Sequence, residues 1–163
     1  MIFQVVLVLA TLLCSLVAGF LFAFAAVVMP GIKRLDDGGF LRAFQVIDGV
    51  IQNNQPLFVV VWVGSVLSLI AAAVLGLSVP GAADRLLIIV SALVYLLGVQ
   101  LPTFAINIPL NNELQRLDIG TMNETARRRA REDFESRWNR WNTIRTAVAC
   151  GVSISLMLLL LRA

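Results

Sequence analysis

Four apolar stretches dominate this sequence, and each is long enough to cross a lipid bilayer as a helix. They extend over residues 2–29, 57–79, 86–108 and 143–161. About 17–25 apolar residues in a helix span the hydrocarbon core of a bilayer. The chain is 59% apolar and 14% charged, which leaves too little polar surface to enclose four such helices in a soluble fold. We therefore predict an all-α fold, a polytopic membrane four-helix bundle that forms one domain over residues 1–163.

Basic side chains are concentrated in the two long segments that connect the apolar stretches. Three lie in residues 30–56 and eight lie in residues 109–145, whereas Arg85 and Arg162 are the only others. Lysine and arginine in short loops are retained on the cytoplasmic side of a membrane. We therefore predict that both long loops are cytoplasmic and that both termini lie outside, in a multi-pass protein of the inner (plasma) membrane.

The net charge of +3 does not predict nucleic-acid binding, because acidic residues interrupt the arginine-rich segment. The spacing gives three helical i,i+4 pairs: Arg128–Glu132, Arg129–Asp133 and Arg131–Glu135. Such spacing is typical of a solvated helix with salt bridges along it. The lipid bilayer, with its anionic headgroups, is the partner that this charge favours, and we expect no nucleic-acid partner.

The first long loop has an apolar stripe at helical spacing. The stripe consists of Phe40, Leu41, Phe44, Ile47 and Ile51. The polar residues Arg42, Gln45, Asp48 and Gln52 are assigned to the other faces. This pattern predicts a cytoplasmic amphipathic helix that lies in the membrane interface or folds back under the bundle.

The second long loop predicts a long cytoplasmic extension of the fourth helix. Thr121 and Glu124 have the spacing of a capping box, which starts a helix. An apolar and aromatic stripe then continues from Met122 to Arg145 at steps of three or four residues. Because no proline or glycine occurs between Thr121 and Cys150, we predict one nearly continuous helix over residues 121–161.

Two prolines lie near the end of the third apolar stretch. Pro102 and Pro109 each remove a helix hydrogen bond, and Pro109 also frees the carbonyl of Ala105. The side-chain amide of Asn107 is a suitable partner for such a loosened backbone. We therefore expect the third helix to depart from regular geometry at two points.

Amide side chains and an arginine gather where the third and fourth helices are predicted to leave the membrane. The candidate ligand-binding residues are Asn107, Asn111, Trp138, Trp141, Asn142 and Arg145. Polar side chains at membrane depth tend to face the bundle interior, although tryptophan and arginine also anchor helix ends at the membrane surface. We expect Arg137 and Arg140 to be such anchors. We expect Arg145, which lies deeper, to turn inward and donate to the third helix near Asn107 or Asn111.

The sequence contains no histidine, and its two cysteines lie within apolar stretches. Metal and haem sites that use imidazole ligands, and histidine general bases, are therefore excluded. Cys14 and Cys150 are typical of small packing residues. We expect no metal and no cofactor, and the catalytic residues of any reaction remain unknown because no spanning segment has an acid or base at its middle.

Three segments resemble the anthrone oxygenase-like family. They are "GFLFAFAAVVMPGI" at residues 19–32, "NIPLNNEL" at residues 107–114 and "WNRWNTIR" at residues 138–145. The resemblance implies a small four-helix membrane protein. The family takes its name from fungal members that oxidise anthrones to anthraquinones, and most bacterial members are known only as a domain of unknown function. Chemistry that depends on a histidine base cannot operate in this chain.

Three functional hypotheses follow from these observations. The favoured one is an integral membrane protein of this family that binds a lipophilic small molecule at the cytoplasmic ends of the third and fourth helices. The first alternative is a cofactor-free oxygenase that acts on anthrone-type or quinol-type aromatic substrates. The second alternative is a structural or accessory membrane protein with no ligand. The sequence also leaves a homo-oligomer open.

Overall fold

The computed structural model of this protein describes residues 1–78 and 81–162, and over these residues it contains helices and no strands. The helices are α1 (Ile2–Ile32), α2 (Asp37–Gln52), α3 (Pro56–Gly76), α4 (Ala82–Gln115) and α5 (Glu124–Leu160). All but α2 are long and apolar enough to span a membrane. The predicted all-α architecture with four spans is therefore confirmed. Residue 79, the predicted end of the second span, lies outside the described residues.

Short π-helical turns occur in the spanning helices wherever a proline follows. One lies in α1 at Phe24–Val28, and two lie in α4 at Leu96–Gln100 and Thr103–Asn107. Each turn ends two residues before a proline, namely Pro30, Pro102 or Pro109. A proline ring collides with the carbonyl four residues earlier. The wide turn lets the preceding residue donate to the carbonyl five residues back, as Ile108 does to Thr103, so the helix continues through the proline.

The four spanning helices pack as a closed bundle. Both α1 and α4 pack against α3 and α5. The interior is apolar, and Leu7, Leu69, Val99 and Leu156 are almost completely buried there. The backbones of α4 and α5 approach closely at Gly98, where an added Cβ would lie 2.8 Å from the Val148 side chain.

Helix α2 folds back against the end of the bundle, as the apolar stripe predicts. Phe40, Leu41 and Phe44 are buried, and the rings of Phe40 and Phe44 contact Phe134 on α5. The Phe44 ring also meets the Trp138 ring edge-on, with 5.3 Å between the centroids. Helix α2 therefore forms a second small core with the N-terminal part of α5.

Arg131 on α5 ties the turn between α1 and α2 to this second core. Its guanidinium donates to the carbonyl oxygens of Lys33 and Leu35 at 2.9 and 3.0 Å. It also pairs with the carboxylates of Asp37 and Glu135 at 3.1 and 2.8 Å. Because Lys33 and Leu35 follow α1 and Asp37 starts α2, one side chain fixes the direction in which the chain leaves α1.

The fourth spanning helix is continuous over residues 124–160, and it begins later than the capping box predicts. The N-cap is Asn123, whose Oδ1 accepts from the Ala126 N–H at 2.9 Å. Thr121 instead closes a turn with Asp118. Asparagine caps a helix at least as well as threonine, so Asn123 can serve as the N-cap of α5 in place of Thr121.

Two of the three predicted ion pairs along α5 are also present in the structure. They are Arg128–Glu132 and Arg131–Glu135. The predicted pair between Arg129 and Asp133 does not form within the described part of the chain.

Candidate ligand-binding site

A cavity of about 180 Å³ lies among all five helices, at the level of the π turns at Phe24–Val28 and Thr103–Asn107. Seven of its sixteen lining residues are aromatic. The rings come from Phe20, Phe24, Phe44, Phe58, Trp62, Phe104 and Trp138. Such a wall suits a flat apolar molecule, since aromatic side chains supply large contact areas in defined geometry.

Arg145 contributes a guanidinium to this cavity and is 4% exposed. Its Nη1 donates to the Thr103 hydroxyl at 2.8 Å, and its Nη2 donates to the Asn142 side-chain oxygen at 3.0 Å. Its Nε has no hydrogen-bond partner in the described residues. No carboxylate of the described residues lies within 4.0 Å of it. Arg145 is thus a buried cation whose partners are all neutral.

The expectation that Arg145 donates to the third spanning helix is confirmed, but its partner is Thr103, one turn deeper than Asn107. The π turn at Thr103–Asn107 changes the helical register between these two residues. As a result, Thr103 meets the guanidinium. Asn107 donates to the Trp138 carbonyl instead, at 3.5 Å.

Two asparagines near Arg145 differ in how well they are hydrogen-bonded. Both polar atoms of the Asn142 side chain have a partner, because its oxygen accepts from Arg145 and its nitrogen donates to the Leu21 carbonyl of α1 at 3.1 Å. Asn107 is 2% exposed, and its Oδ1 has no donor within the described residues. One donor, the Arg145 Nε, and one acceptor, the Asn107 Oδ1, are thus left without partners in the wall of one cavity.

Asp48 on α2 is a cavity residue that the sequence analysis assigned to a polar face, and that assignment was wrong. It is 3% exposed. Its Oδ1 accepts from Asn111 at 2.7 Å, and its Oδ2 accepts from Gln115 at 2.9 Å and from Gln52 at 2.7 Å. The available signal was its spacing: Asp48 lies four residues after Phe44 and three before Ile51, on the buried stripe of the helix.

Asn111 joins the Asp48 carboxylate to the aromatic wall. It donates to Asp48, and its Oδ1 accepts from the Trp138 indole N–H at 2.8 Å. The Trp138 ring in turn lies 6.0 Å from the Arg145 guanidinium. These contacts hold the position and orientation of Trp138, so the indole is a fixed part of the cavity wall.

Five of the six residues predicted from the sequence line the cavity. They are Asn107, Asn111, Trp138, Asn142 and Arg145. Trp141 is half-buried and does not line it. Arg137 and Arg140, the expected anchors, are exposed. Thr103 and Asp48 are the polar residues of the wall that the sequence analysis did not select.

A protein-family model described as anthrone oxygenase matches residues 50–155. The matched segment is more than half of the chain and includes Thr103, Asn107 and Arg145. It begins after Asp48 and does not include α1. No curated protein and no solved structure matches the chain.

Substitution of Arg145 by alanine is expected to lower the thermal stability of the protein in detergent far more than Arg137→Ala. The first change leaves Thr103 and Asn142 without their donor inside the bundle, which costs about 1–3 kcal/mol of the free energy of unfolding. Arg137 is exposed, so its loss should change stability by no more than about 0.5 kcal/mol.

The measurement is the melting temperature of each purified variant in one detergent. Arg145→Lys should recover little of the loss, because an ammonium lacks the planar fork that meets two oxygens at once. Equal melting temperatures for Arg145→Ala and Arg137→Ala would mean that Arg145 is a surface anchor and not a buried donor.

Proposed function

The chain belongs to the anthrone oxygenase family, and we propose that this multi-pass membrane protein binds a flat lipophilic molecule that carries an oxygen substituent. The proposed site is the cavity between the π turns and α5. The aromatic wall would stack on the ring of the ligand. The ligand oxygen would accept from the unpartnered Nε of Arg145.

The observation that carries this proposal is the buried guanidinium with only neutral partners. Removing an arginine from water costs several kcal/mol unless charge or strong hydrogen bonds compensate for the loss of hydration. If Arg145, Thr103 and Asn142 served only to lock the bundle, apolar side chains of similar volume at all three positions would stabilise the bundle as well or better. A hydrogen bond to a ligand oxygen would explain why an arginine is buried at this position, whereas a structural role would not.

The size of the cavity limits the part of a ligand that it encloses. A dry cavity of about 150 Å³ holds one benzene molecule. The volume here is about 180 Å³, which suits one ring and part of a second within the closed walls. A fused bicyclic phenol such as 2-naphthol is therefore a suitable probe, and naphthalene is the matched probe without the oxygen.

Substitution of Arg145 by methionine is expected to weaken binding of 2-naphthol about tenfold, to the level of naphthalene, without unfolding the protein. Methionine fills much of the arginine volume, so the protein should stay folded. Its melting temperature should lie below that of the wild type, because Thr103 and Asn142 lose their donor, and above that of Arg145→Ala. Binding is measured in nanodiscs by quenching of tryptophan fluorescence, since Trp62 and Trp138 line the cavity.

The wild type should bind 2-naphthol saturably and about tenfold more tightly than naphthalene, which corresponds to one charge-assisted hydrogen bond. Arg137→Met is the control and should bind like the wild type. Undiminished 2-naphthol binding by Arg145→Met would contradict the proposed role of the guanidinium.

A second candidate function is the cofactor-free oxygenase, and the observation that favours it is Asp48 in the same cavity wall as Arg145. A carboxylate can serve as a general base, and three amide donors fix the position of this one. In this reaction Asp48 takes a proton from the methylene carbon of an anthrone. The resulting enolate oxygen is stabilised by hydrogen bonds from Arg145.

The enolate then reacts with molecular oxygen at the same carbon. A carbon–oxygen bond forms, and protonation of the distal oxygen gives a hydroperoxide. Cleavage of the oxygen–oxygen bond, with loss of the remaining hydrogen on that carbon, gives the quinone carbonyl and water. One anthrone and one O₂ thus yield one anthraquinone and one water, with O₂ as the oxidant.

For this second candidate, Asp48→Asn is expected to abolish oxygen uptake in the presence of anthrone while 2-naphthol binding persists. An oxygen electrode measures uptake by the protein in nanodiscs, with empty nanodiscs as the blank. Asp133→Asn, at an exposed position on α5, is the control and should be as active as the wild type. The oxygenase would be rejected if Asp48→Asn took up oxygen as fast as the wild type, or if the wild type took up oxygen no faster than the blank. Either result would leave the proposed ligand binding in place.

We also propose that both termini lie outside and both long loops lie in the cytoplasm, because the basic residues are concentrated in those loops. Gly120 and Ser78 are exposed positions in loops on opposite sides of the proposed membrane. In a variant with Cys14 and Cys150 replaced by alanine, we expect a membrane-impermeant thiol reagent to label Ser78→Cys in intact cells. Gly120→Cys should be labelled only after the cells are permeabilised. The reverse pattern would overturn the proposed orientation.

A further inference from the structure

We infer that the ligand has two parts: an oxygen-bearing ring inside the cavity and an apolar chain that leaves the cavity along a groove on the outer surface of α1 and α3. This inference rests on the proposed binding function and specifies the class of ligand. The class is a phenol, quinol or related ring compound with a long aliphatic substituent, which lies in the membrane before it is bound.

The groove is a separate depression of about 400 Å³ next to the cavity. Its walls come from α1, the C-terminal end of α2 and the first half of α3. Leu16, Val50 and Leu57 lie along it and are 49%, 56% and 72% exposed. The groove therefore opens to the outside of the bundle between two helices that are apolar enough to span the membrane.

The groove and the cavity share four of their lining residues: Phe20, Ile51, Phe58 and Trp62. The centroids of the Phe20 and Phe58 rings are 5.2 Å apart, and the Phe58 and Trp62 rings stack at 5.3 Å. The boundary between the two spaces thus consists mostly of aromatic side chains, and Trp62 is held in place by a hydrogen bond from its indole N–H to the Gln100 side-chain oxygen at 3.0 Å. A change of rotamer at Phe20 or Phe58 would open the boundary without movement of a helix. A molecule that fills the cavity can continue into the groove past these rings.

The chemistry of the groove selects an aliphatic chain. None of its lining residues is charged, and its one amide is Gln55. The Gln55 Oε1 is occupied, because it accepts from the Phe58 N–H and caps the start of α3. The side-chain atoms without partners, the Nε of Arg145 and the Oδ1 of Asn107, belong to residues that line the cavity and not the groove. Polar recognition at one end and an apolar exit at the other match a ring with a tail.

The apolar tail gains little free energy from the groove relative to lipid, because the bilayer interior is equally apolar. Its contribution is geometric: the ring can enter the protein while the chain stays next to lipid. Obstruction of the groove should therefore change binding through steric exclusion of the chain. A groove that is filled by a larger side chain should exclude a probe with a chain and still admit the bare ring.

Two probes and two matched variants test this inference. The probes are 2-naphthol and 6-octyl-2-naphthol, whose chain is remote from the hydroxyl, with concentrations expressed per lipid so that partitioning cancels. Leu57→Trp fills the groove from α3. Leu93→Trp introduces the same side chain at a position on α4 that is 52% exposed and outside the groove. Both sites are exposed, so both variants should fold, and Leu16→Trp provides a second obstruction from α1.

We expect the wild type and Leu93→Trp to bind both probes. Leu57→Trp and Leu16→Trp should weaken binding of 6-octyl-2-naphthol by about tenfold or more and change 2-naphthol binding by less than about twofold. Equal effects of the groove variants on both probes, or no effect on either, would overturn the inference. If the wild type binds 2-naphthol but not the octyl compound, the tail assignment fails and the proposed function stands. If it binds neither, the proposed function itself fails.

Discussion

A guanidinium enclosed in an apolar bundle needs oxygen atoms around it, and the structure is arranged so that Arg145 receives them only in part. Thr103 and Asn142 each supply one neutral oxygen. Thr103 reaches the guanidinium because Pro109 forces a π turn into α4. Asn142 is held by the Leu21 carbonyl, three residues before the start of the π turn of α1. Pro109 and Arg145 are therefore linked, because the π turn that accommodates the proline places a side-chain hydroxyl of α4 within reach of the guanidinium.

The same constraint accounts for the position of α2. The Asp48 carboxylate brings a second charge into the cavity, and it is tolerated because amides of α4 and of α2 itself donate to it. The aromatic face of α2 packs on α5 around Trp138, whose indole donates to the same amide network. A cation and an anion thus line one aromatic cavity without contact between them. That separation leaves room for a molecule with a polar end.

The sequence was sufficient for the bundle and for most of the site, for physical reasons that can be named. Apolar stretches longer than a bilayer core allow few folds, and the absence of proline or glycine after Thr121 allows one long helix. The features of the site that the sequence did not predict depend on contacts between segments that are far apart in the chain. Asp48 lies on an apolar stripe, where a carboxylate is stable only with donors such as Asn111 and Gln115, more than sixty residues later. The contact of Thr103 with Arg145 depends on the wide π turn at Thr103–Asn107. The prolines in the sequence predict a loosened helix, but they do not predict a π turn.

The most direct test of this account is an experimental structure of the protein in nanodiscs with 6-octyl-2-naphthol. We expect density for the ring between Trp138 and the phenylalanines of α1. The ligand oxygen should lie within hydrogen-bond distance, about 2.7–3.2 Å, of the Arg145 guanidinium. The octyl chain should run past Phe58 into the groove between α1 and α3. An empty cavity, with the Arg145 guanidinium turned outward to the lipid headgroups, would contradict the account.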